Sequence, residues 1–306
     1  MMMSEPLMFG ATRGTEKRDE PLARYTTWRC GGRADRLYVP ADREDLATFV
    51  RALPPAEPLT VIGLGSNLLI RDGGVRGAVV VVHAALGVLE LRDGLIYAEA
   101  GVASPKVARF AARNGLGEAE FLAGIPGTVG GALAMNAGCY GGETWRYVAR
   151  VEVLDRSGGF AVRLPAEYAI GYRSVRLADG APPDGIFTAA WFAFPKGDCA
   201  VARERIKELL GRRIATQPLA QPNAGSVFRN PQGDHAARLI ERCGLKGYAV
   251  GGARVSEKHA NFIVNPGSRA TAADIEAVIA HVRATVKAQT GIDLEPEVRV
   301  IGEAAR

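Results

Sequence analysis

The stretch Gly124-Ile125-Pro126-Gly127-Thr128-Val129-Gly130-Gly131 runs on through Ala132 to Asn136-Ala137-Gly138 and carries no charge. Five glycines fall within these 15 residues. A loop on a protein surface is normally polar, so this composition is unusual for one. Glycines let a backbone press closely against a flat, partly apolar ligand. The alternative is a tight turn inside the core, and we favour ligand contact.

A second glycine-rich segment, Gly63-Leu64-Gly65-Ser66-Asn67, directly follows Leu59–Ile62, an apolar run that predicts a buried strand. It begins like the GxGxxG fingerprint of dinucleotide-binding folds. However, Leu68 stands at the third glycine position and no helical periodicity follows. The Lys-Ser/Thr pair of a phosphate loop is also absent. The segment is either a backbone nest whose N–H groups suit a pyrophosphate, or a plain turn between strands.

Composition narrows the class of protein. The 306 residues carry a net charge of +5, and no basic run alternates with aromatic residues, which argues against a nucleic-acid partner. No apolar run approaches the roughly 20 residues of a membrane span, and Met1–Asp19 lacks the apolar centre of a signal peptide. The widely spaced Cys30, Cys139, Cys199 and Cys243 form no zinc pattern. We therefore expect a cytoplasmic protein with free thiols and no metal.

Helix and strand signals are mixed along the chain without strict alternation, which favours an α+β fold over a doubly wound sheet. Helices are predicted after Asp42, from Ser104-Pro105, and over about 201–213, 234–243 and 272–289. Asp93-Gly94 predicts a hairpin turn, and Gln217-Pro218 marks an expected domain boundary. Residues 1–21 are polar and are expected to be mobile or loosely docked, with order beginning near Leu22.

Together these motifs resemble a known family, the UDP-N-acetylenolpyruvoylglucosamine reductases (MurB), also called UDP-N-acetylmuramate dehydrogenases. The resemblance covers about residue 22 to the C-terminus, in the family's order. Besides the two glycine-rich stretches, it rests on Tyr25-Thr26-Thr27, Gly171-Tyr172-Arg173, Asn223-Ala224-Gly225-Ser226, Ser256-Glu257-Lys258-His259-Ala260-Asn261 and Leu294-Glu295-Pro296-Glu297-Val298-Arg299.

The resemblance implies an FAD-binding fold of the vanillyl-alcohol-oxidase (PCMH) type with a small α+β C-terminal substrate domain. The implied limits are 22–84 for the first FAD-binding subdomain, to which 298–306 return, 85–215 for the second, and 216–297 for the substrate domain. The implied reaction uses NADPH and FAD to reduce the enolpyruvyl ether of a UDP-sugar to UDP-N-acetylmuramate, for peptidoglycan synthesis. The short interval between Gly171-Tyr172-Arg173 and Asn223 is similar to the family type that lacks an extra substrate loop.

Such a reduction requires stabilisation of charge that develops on the substrate carboxylate, and an acid that delivers a proton. The resemblance implies that Ser226 is the proton donor. Arg173 supplies a planar guanidinium that can hold a carboxylate. Glu295 and Glu297 point to the same face of an extended segment, so spacing alone leaves both open, and the resemblance selects Glu297.

The resemblance also implies binding residues. Those expected at a non-covalent FAD are Gly63, Gly65, Ser66, Asn67, Ile125, Pro126, Gly127, Thr128, Gly131, Asn136, Ala137 and Gly138. Those expected at the substrate are Tyr172, Arg213, Asn230, His259 and Arg299. Thr216 departs from the family pattern, in which some members have a Lys, and Arg213 is the expected replacement for that cation.

Two other functions remain open at this level. Another flavin oxidase of the same fold would often tether FAD through a His or Cys in the first glycine-rich loop, which here has neither. A non-catalytic nucleotide-sugar sensor would be expected to have lost at least one of Arg173, Ser226 and Glu297, and all three are present. For the favoured enzyme we expect small-molecule partners only, no membrane insertion and a monomer.

Overall fold

The computed structural model describes residues 11–305, which contain eighteen strands and six α-helices. The helices are α1 Arg43–Ala52, α2 Ser104–Arg113, α3 Val129–Ala134, α4 Cys199–Thr216, α5 Ala236–Arg242 and α6 Ala272–Thr290. The strands are β1 Thr15–Pro21, β2 Arg33–Val39, β3 Leu59–Ile62, β4 Leu68–Ile70, β5 Val75–Val81, β6 Leu89–Arg92, β7 Leu95–Glu99, β8 Gly138–Cys139, β9 Gly142–Glu143, β10 Val148–Leu154, β11 Phe160–Arg163, β12 Tyr168–Gly171, β13 Ser174–Leu177, β14 Ile186–Phe192, β15 Ala249–Val250, β16 Ala253–Val255, β17 Ile263–Val264 and β18 Arg299–Ile301.

The first sheet corrects an expectation about the N-terminus. Its strand order is β1-β2-β5-β3, and β1 pairs antiparallel with β2 from Thr15 opposite Val39 to Pro21 opposite Arg33. The expectation that the N-terminal segment is mobile or loosely docked is therefore wrong for residues 15–21. Residues 1–10 lie outside the described residues. Charged side chains hide this strand from a search for apolar alternation, since strands at a sheet edge are often charged.

Local signals in the first half of the chain are confirmed. The Asp42 side chain accepts a hydrogen bond from the Asp45 amide at the start of α1, and this helix buries Leu46 and Phe49. Asp93 and Gly94 have φ of 51° and 79°, the conformation of a two-residue hairpin turn between β6 and β7.

A second, antiparallel sheet has the order β11-β10-β14-β7-β6 and packs with α2, α3 and α4 around a second apolar core. Helix α2 begins at Ser104, as expected. Helix α3 was not anticipated, because its sequence contains two glycines and no charge. It follows Thr128, whose hydroxyl accepts a hydrogen bond from the Gly131 amide at 3.4 Å.

The C-terminal part packs α5 and α6 with the small sheet β15-β16-β17. Trp28, from far earlier in the chain, is fully buried in this core, and its indole N–H donates to the Ile263 carbonyl at 2.8 Å. The Trp28 carbonyl in turn accepts from the side-chain amide of Asn265 at 2.8 Å. The core of this part is thus completed by a residue of the N-terminal part.

The end of the chain returns to the first part of the molecule, where β18 pairs in parallel with β4. Of the main apolar cores in the described residues, two lie largely within residues 22–86, one within 96–206, and one within 224–298 with a few earlier residues. The domain limits remain an interpretation that this distribution supports; Arg306 lies outside the described residues. In the part of the chain that is described, no helix is long and apolar enough to cross a membrane.

Candidate active site

A cavity of about 460 Å³ lies where these parts of the chain meet. Its walls come from the turn after β3, the stretch leading into and out of α3, the β12–β13 hairpin, the end of α4 and the segment leading into β18. It is lined by sixteen of the residues predicted from the sequence: Gly63, Gly65, Ser66, Asn67, Ile125, Pro126, Gly127, Thr128, Gly131, Ala137, Gly138, Arg173, Arg213, Ser226, Glu297 and Arg299.

One wall is the turn formed by residues 63–67. The backbone N–H groups of these residues donate to no acceptor among residues 11–305, so they remain available to a ligand. Gly65 has φ of +62°, and a Cβ there would collide with the carbonyl of Tyr25, which only glycine avoids. The Tyr25-Thr26-Thr27 motif therefore packs beneath this turn, and Thr27 N donates to the Gly65 carbonyl at 3.3 Å.

The adjoining wall is the apolar stretch 124–131. A Cβ on Gly63 would collide with the Thr128 hydroxyl, so the two glycine-rich segments are in direct contact. The backbone N–H groups of Gly127 and Thr128 also find no acceptor within the described residues. This wall offers a ligand bare backbone and the apolar side chain of Ile125, as expected for contact with a flat, partly apolar ring.

Arg173 and Glu297 meet inside the cavity. Arg173 occupies the turn of the β12–β13 hairpin with φ of +54°, and its Nε donates to Glu297 Oε1 at 2.7 Å. Its Nη2 donates to the Gly138 carbonyl at 2.9 Å. Burial raises the pKa of Glu297, while the neighbouring charge of Arg173 and their hydrogen bond act in the opposite direction.

Glu295 and Glu297, between which sequence spacing could not choose, have different environments in the structure. The Glu297 side chain is 12% exposed and lines the cavity, whereas that of Glu295 is 65% exposed and pairs with Arg229 at 2.9 Å. The backbone N–H of Glu297 donates to the Val227 carbonyl at 2.7 Å, which keeps this segment beside residue 226. Glu297 is therefore the carboxyl group that can contact a ligand in this cavity.

Ser226 follows a turn in which the Gly225 amide donates to Asn223 Oδ1 at 3.0 Å. The Ser226 hydroxyl lines the cavity and has no hydrogen-bond partner in the part of the chain that the structure describes. It is thus free to donate to a bound molecule.

Two further cations line the cavity. Arg213 projects from the last turns of α4, and its Nε donates to Gln217 Oε1 at 2.9 Å. Burial lowers the pKa of Arg213. Neither Arg213 nor Arg299 has a carboxylate partner within the described residues, so both can pair with an anionic ligand.

Three of the residues predicted to bind substrate do not line the cavity. Tyr172 is 47% exposed, with the guanidinium of Arg173 over its ring. Asn230 accepts a hydrogen bond from the Ala236 amide at the start of α5. His259 accepts from the Asn261 amide, and burial lowers its pKa. Sequence motifs place these residues near the site but do not show which way each side chain points.

Asn136, predicted at the cofactor, also lies behind the wall rather than in it, since only 1% of it is exposed. Sequence reasoning missed Met135, Gln217 and Phe262, which do line the cavity. Met135 lies inside the glycine-rich stretch 124–138. Its position among residues predicted to contact the cofactor was the one sequence signal that could have identified it.

Two parts of the chain match known protein families. Residues 34–164 match the family described as FAD binding domain, and residues 217–301 match the C-terminal domain of UDP-N-acetylenolpyruvoylglucosamine reductase. The second match begins at Gln217, the boundary expected from the sequence.

Whole-chain relatives agree with these matches. The UDP-N-acetylenolpyruvoylglucosamine reductase of Nitrosospira multiformis is 58% identical, and the alignment covers 100% of this chain and 95% of that protein. The chain belongs to the UDP-N-acetylenolpyruvoylglucosamine reductase family. The reductase of Thiobacillus denitrificans is 55% identical over 98% of both chains. The crystal structure of the Thermus caldophilus reductase superimposes with a TM-score of 0.79 at 35% identity, covering 94% of this chain and 98% of that one.

Membership of this family confirms the expected α+β fold, with an FAD-binding domain followed by a small C-terminal domain. It also makes the chain an FAD-dependent oxidoreductase. The residues present fit FAD, because the unpaired N–H groups of residues 63–67 suit a pyrophosphate and the bare backbone of 124–131 suits the flavin ring.

Proposed function

We propose that this chain catalyses the NADPH-dependent reduction of UDP-N-acetylglucosamine enolpyruvate to UDP-N-acetylmuramate. The observation that carries the proposal is the convergence of Arg173, Glu297 and Ser226 on one cavity, facing the two glycine-rich walls. FAD, held by residues 63–67 and 124–131, would supply the hydride-transfer chemistry of this reduction, with NADPH as the reductant.

Arg173 is the group suited to the charge that develops on the substrate carboxylate as hydride adds. Its Nε and Nη2 donate to Glu297 and to the Gly138 carbonyl, so the guanidinium is oriented before the substrate arrives. A preoriented cation in a site shielded from water stabilises a developing anion without having to reorganise during the reaction.

Ser226 and Glu297 are suited to the proton transfer. The free hydroxyl of Ser226 can donate a proton to the carbon next to the carboxylate. Burial raises the pKa of Glu297 against the opposing effect of Arg173, and in its protonated form this carboxyl group can donate a hydrogen bond to the developing enolate. The role of Arg173 is to hold the carboxylate while these two groups act.

The substrate carries a diphosphate in addition to its carboxylate. Arg213 and Arg299 line the same cavity without carboxylate partners in the described residues, and we assign the diphosphate to them. In the cell, the product enters peptidoglycan synthesis, and through it cell shape and division. We propose that the enzyme works as a monomer in the cytoplasm, with NADPH and substrate using the cavity in turn.

Colour tests the proposal directly. The purified protein should be yellow, bleach on anaerobic addition of NADPH, and regain its absorbance when UDP-N-acetylglucosamine enolpyruvate is added. UDP-N-acetylglucosamine, which lacks the enolpyruvyl group, is the matched control and should leave the reduced protein bleached. Reduced protein that stays colourless with both sugars would overturn the proposed function.

A further inference from the structure

We infer that Asn136 is a positioning residue for Arg173 and not a contact of the cofactor. The inference rests on the proposed function in one respect, which is that Arg173 binds the substrate carboxylate. Its evidence is the set of hydrogen bonds that Asn136 makes with its side chain and with its main chain.

The side chain of Asn136 is occupied by protein partners. Its Nδ2 donates to Glu143 Oε2 at 2.9 Å and to the Gly171 carbonyl at 3.1 Å. Its Oδ1 accepts from the Trp145 amide at 3.1 Å. An amide side chain has two N–H donors, and both are used here. With 1% of the residue exposed, no donor is left for a ligand in the cavity.

These bonds place Asn136 at both ends of Arg173. Through Gly171 it holds the last residue of β12, two positions before Arg173 in the hairpin turn. Through its own carbonyl it accepts from Arg173 Nη1 at 3.4 Å, and the Gly138 carbonyl accepts from Nη2 at 2.9 Å. The side chain thus fixes the backbone that carries Arg173, and the main chain fixes the guanidinium.

The backbone conformation at Asn136 explains how its side chain can bond Gly171 while its carbonyl bonds Arg173. Its φ is +45°, a conformation that Asn and Asp adopt more readily than other residues with a side chain. The chain reverses here, so the carbonyls of residues 136 and 138 face the guanidinium while the side chain turns towards Gly171. Loss of this anchor frees a long side chain, and a displacement of about 1 Å costs on the order of 10²-fold in rate.

Asn136→Asp tests the inference in the holoenzyme. The variant keeps the size, the Oδ1 acceptor and the tolerance for positive φ, but it turns an acceptor towards the Glu143 carboxylate and the Gly171 carbonyl. FAD content and flavin reduction by NADPH should remain normal, while reoxidation by the enolpyruvyl sugar should slow by about 10- to 100-fold. Asn114→Asp, at the exposed end of α2, is the matched control and should change neither step.

A double-mutant cycle shows whether the effect passes through Arg173. In an Arg173→Ala background, Asn136→Asp should slow reoxidation by less than about twofold. Adding Glu143→Gln to Asn136→Asp supplies a new donor and should recover part of the rate. Equal slowing in both backgrounds, or loss of flavin or a shifted flavin absorbance in Asn136→Asp alone, would overturn the inference.

A second readout does not depend on turnover. The Arg173 Nε–H resonance in ¹⁵N spectra of the holoenzyme, assigned with Arg173→Lys, should be protected from exchange, and Asn136→Asp should remove that protection. An unchanged resonance rejects the inference even if the proposed function fails. If Asn136→Asp does not fold, Asn136→Gly keeps the positive φ without steric cost and replaces it in every measurement except the Glu143→Gln rescue, which needs a side-chain acceptor at position 136.

Discussion

Arg173 and Glu297 are 124 positions apart in the sequence, yet Arg173 Nε donates to Glu297 Oε1 at 2.7 Å within the cavity. One residue lies in the turn of the β12–β13 hairpin, and the other lies on the segment that leads into β18, which pairs with β4. Their contact therefore depends on how these two elements are placed relative to each other, and the pair forms only in the folded chain.

FAD should be bound without a covalent link. Residues 63–67 and 124–131 contain no Cys or His, but the structure adds Cys139 to the cavity lining. Burial raises the pKa of the Cys139 thiol, which keeps it protonated and poorly nucleophilic. Acid precipitation should release all flavin from the wild-type protein and equally from Cys139→Ser. Flavin that stays with the wild-type pellet but not with Cys139→Ser would reveal a tether at this cysteine.

Glu297 should matter far more than Glu295. Glu297→Gln should lower turnover by about 10²–10³-fold, because an amide cannot supply the acidic group, while NADPH still bleaches the flavin. Glu295→Gln is the matched control, since its side chain is exposed and pairs with Arg229, and turnover should change by less than about threefold. Similar losses in steady-state turnover for the two variants would reject the assignment.

Ser226→Ala should separate the two half-reactions. Flavin reduction by NADPH needs no proton from the protein and should remain near normal. Reoxidation by the enolpyruvyl sugar should slow by about 10²–10⁴-fold, since the methyl group cannot protonate the substrate. Ser226→Cys, with a more acidic group, should recover part of the rate. Stopped-flow absorbance measures both steps, and equal slowing of the two would make Ser226 a structural or binding residue.

Asp45 should anchor the N-terminal strand and make stability depend on pH. It accepts hydrogen bonds from the Arg13 amide at 2.6 Å and from the Tyr38 hydroxyl at 2.5 Å. Asp45→Ala should lower the free energy of unfolding by about 2–4 kcal/mol, because it leaves these donors unpaired. Asp35→Ala removes an exposed carboxylate on β2 that pairs with Arg76, and should cost less than about 1 kcal/mol.

The sign of the pH effect follows from the direction of the Asp45 pKa. Burial acts to raise that pKa, but the hydrogen bonds outweigh it and lower the pKa below its usual 3.8. The contribution is therefore complete above the unfolded-state pKa and is lost as pH falls through the lower folded-state value. In urea unfolding between about pH 6 and pH 2, the difference between wild type and Asp45→Ala should shrink as pH falls. A constant difference would exclude a charged Asp45 as its cause.

Sequence reasoning succeeded where a local signal determines local structure. Asp42, Ser104-Pro105 and Asp93-Gly94 each act through neighbouring backbone, and the structure confirms the cap, the helix start and the turn. It failed at β1, whose strand depends on pairing with β2 and not on apolar alternation.

The candidate site shows the same contrast between what local sequence determines and what distant partners determine. Motifs identified sixteen residues that line one cavity, although they lie far apart in the sequence. The direction of a side chain was beyond reach, because it depends on partners elsewhere in the chain. Asn136 turns away from the cavity towards Gly171, and Asn230 turns towards the start of α5.

Trp28 has a consequence for how the chain can be divided. Its indole fills the core of the C-terminal part and donates to the Ile263 carbonyl, while Asn265 holds its backbone. A fragment of residues 217–301 would lack this side chain and would leave a hole the size of an indole among α5, α6 and β17. We therefore expect that the segment that matches a family of its own cannot complete its core without the N-terminal part. Complementation between this fragment and one that ends before residue 217 would require the N-terminal fragment to contribute Trp28 to the core of the other.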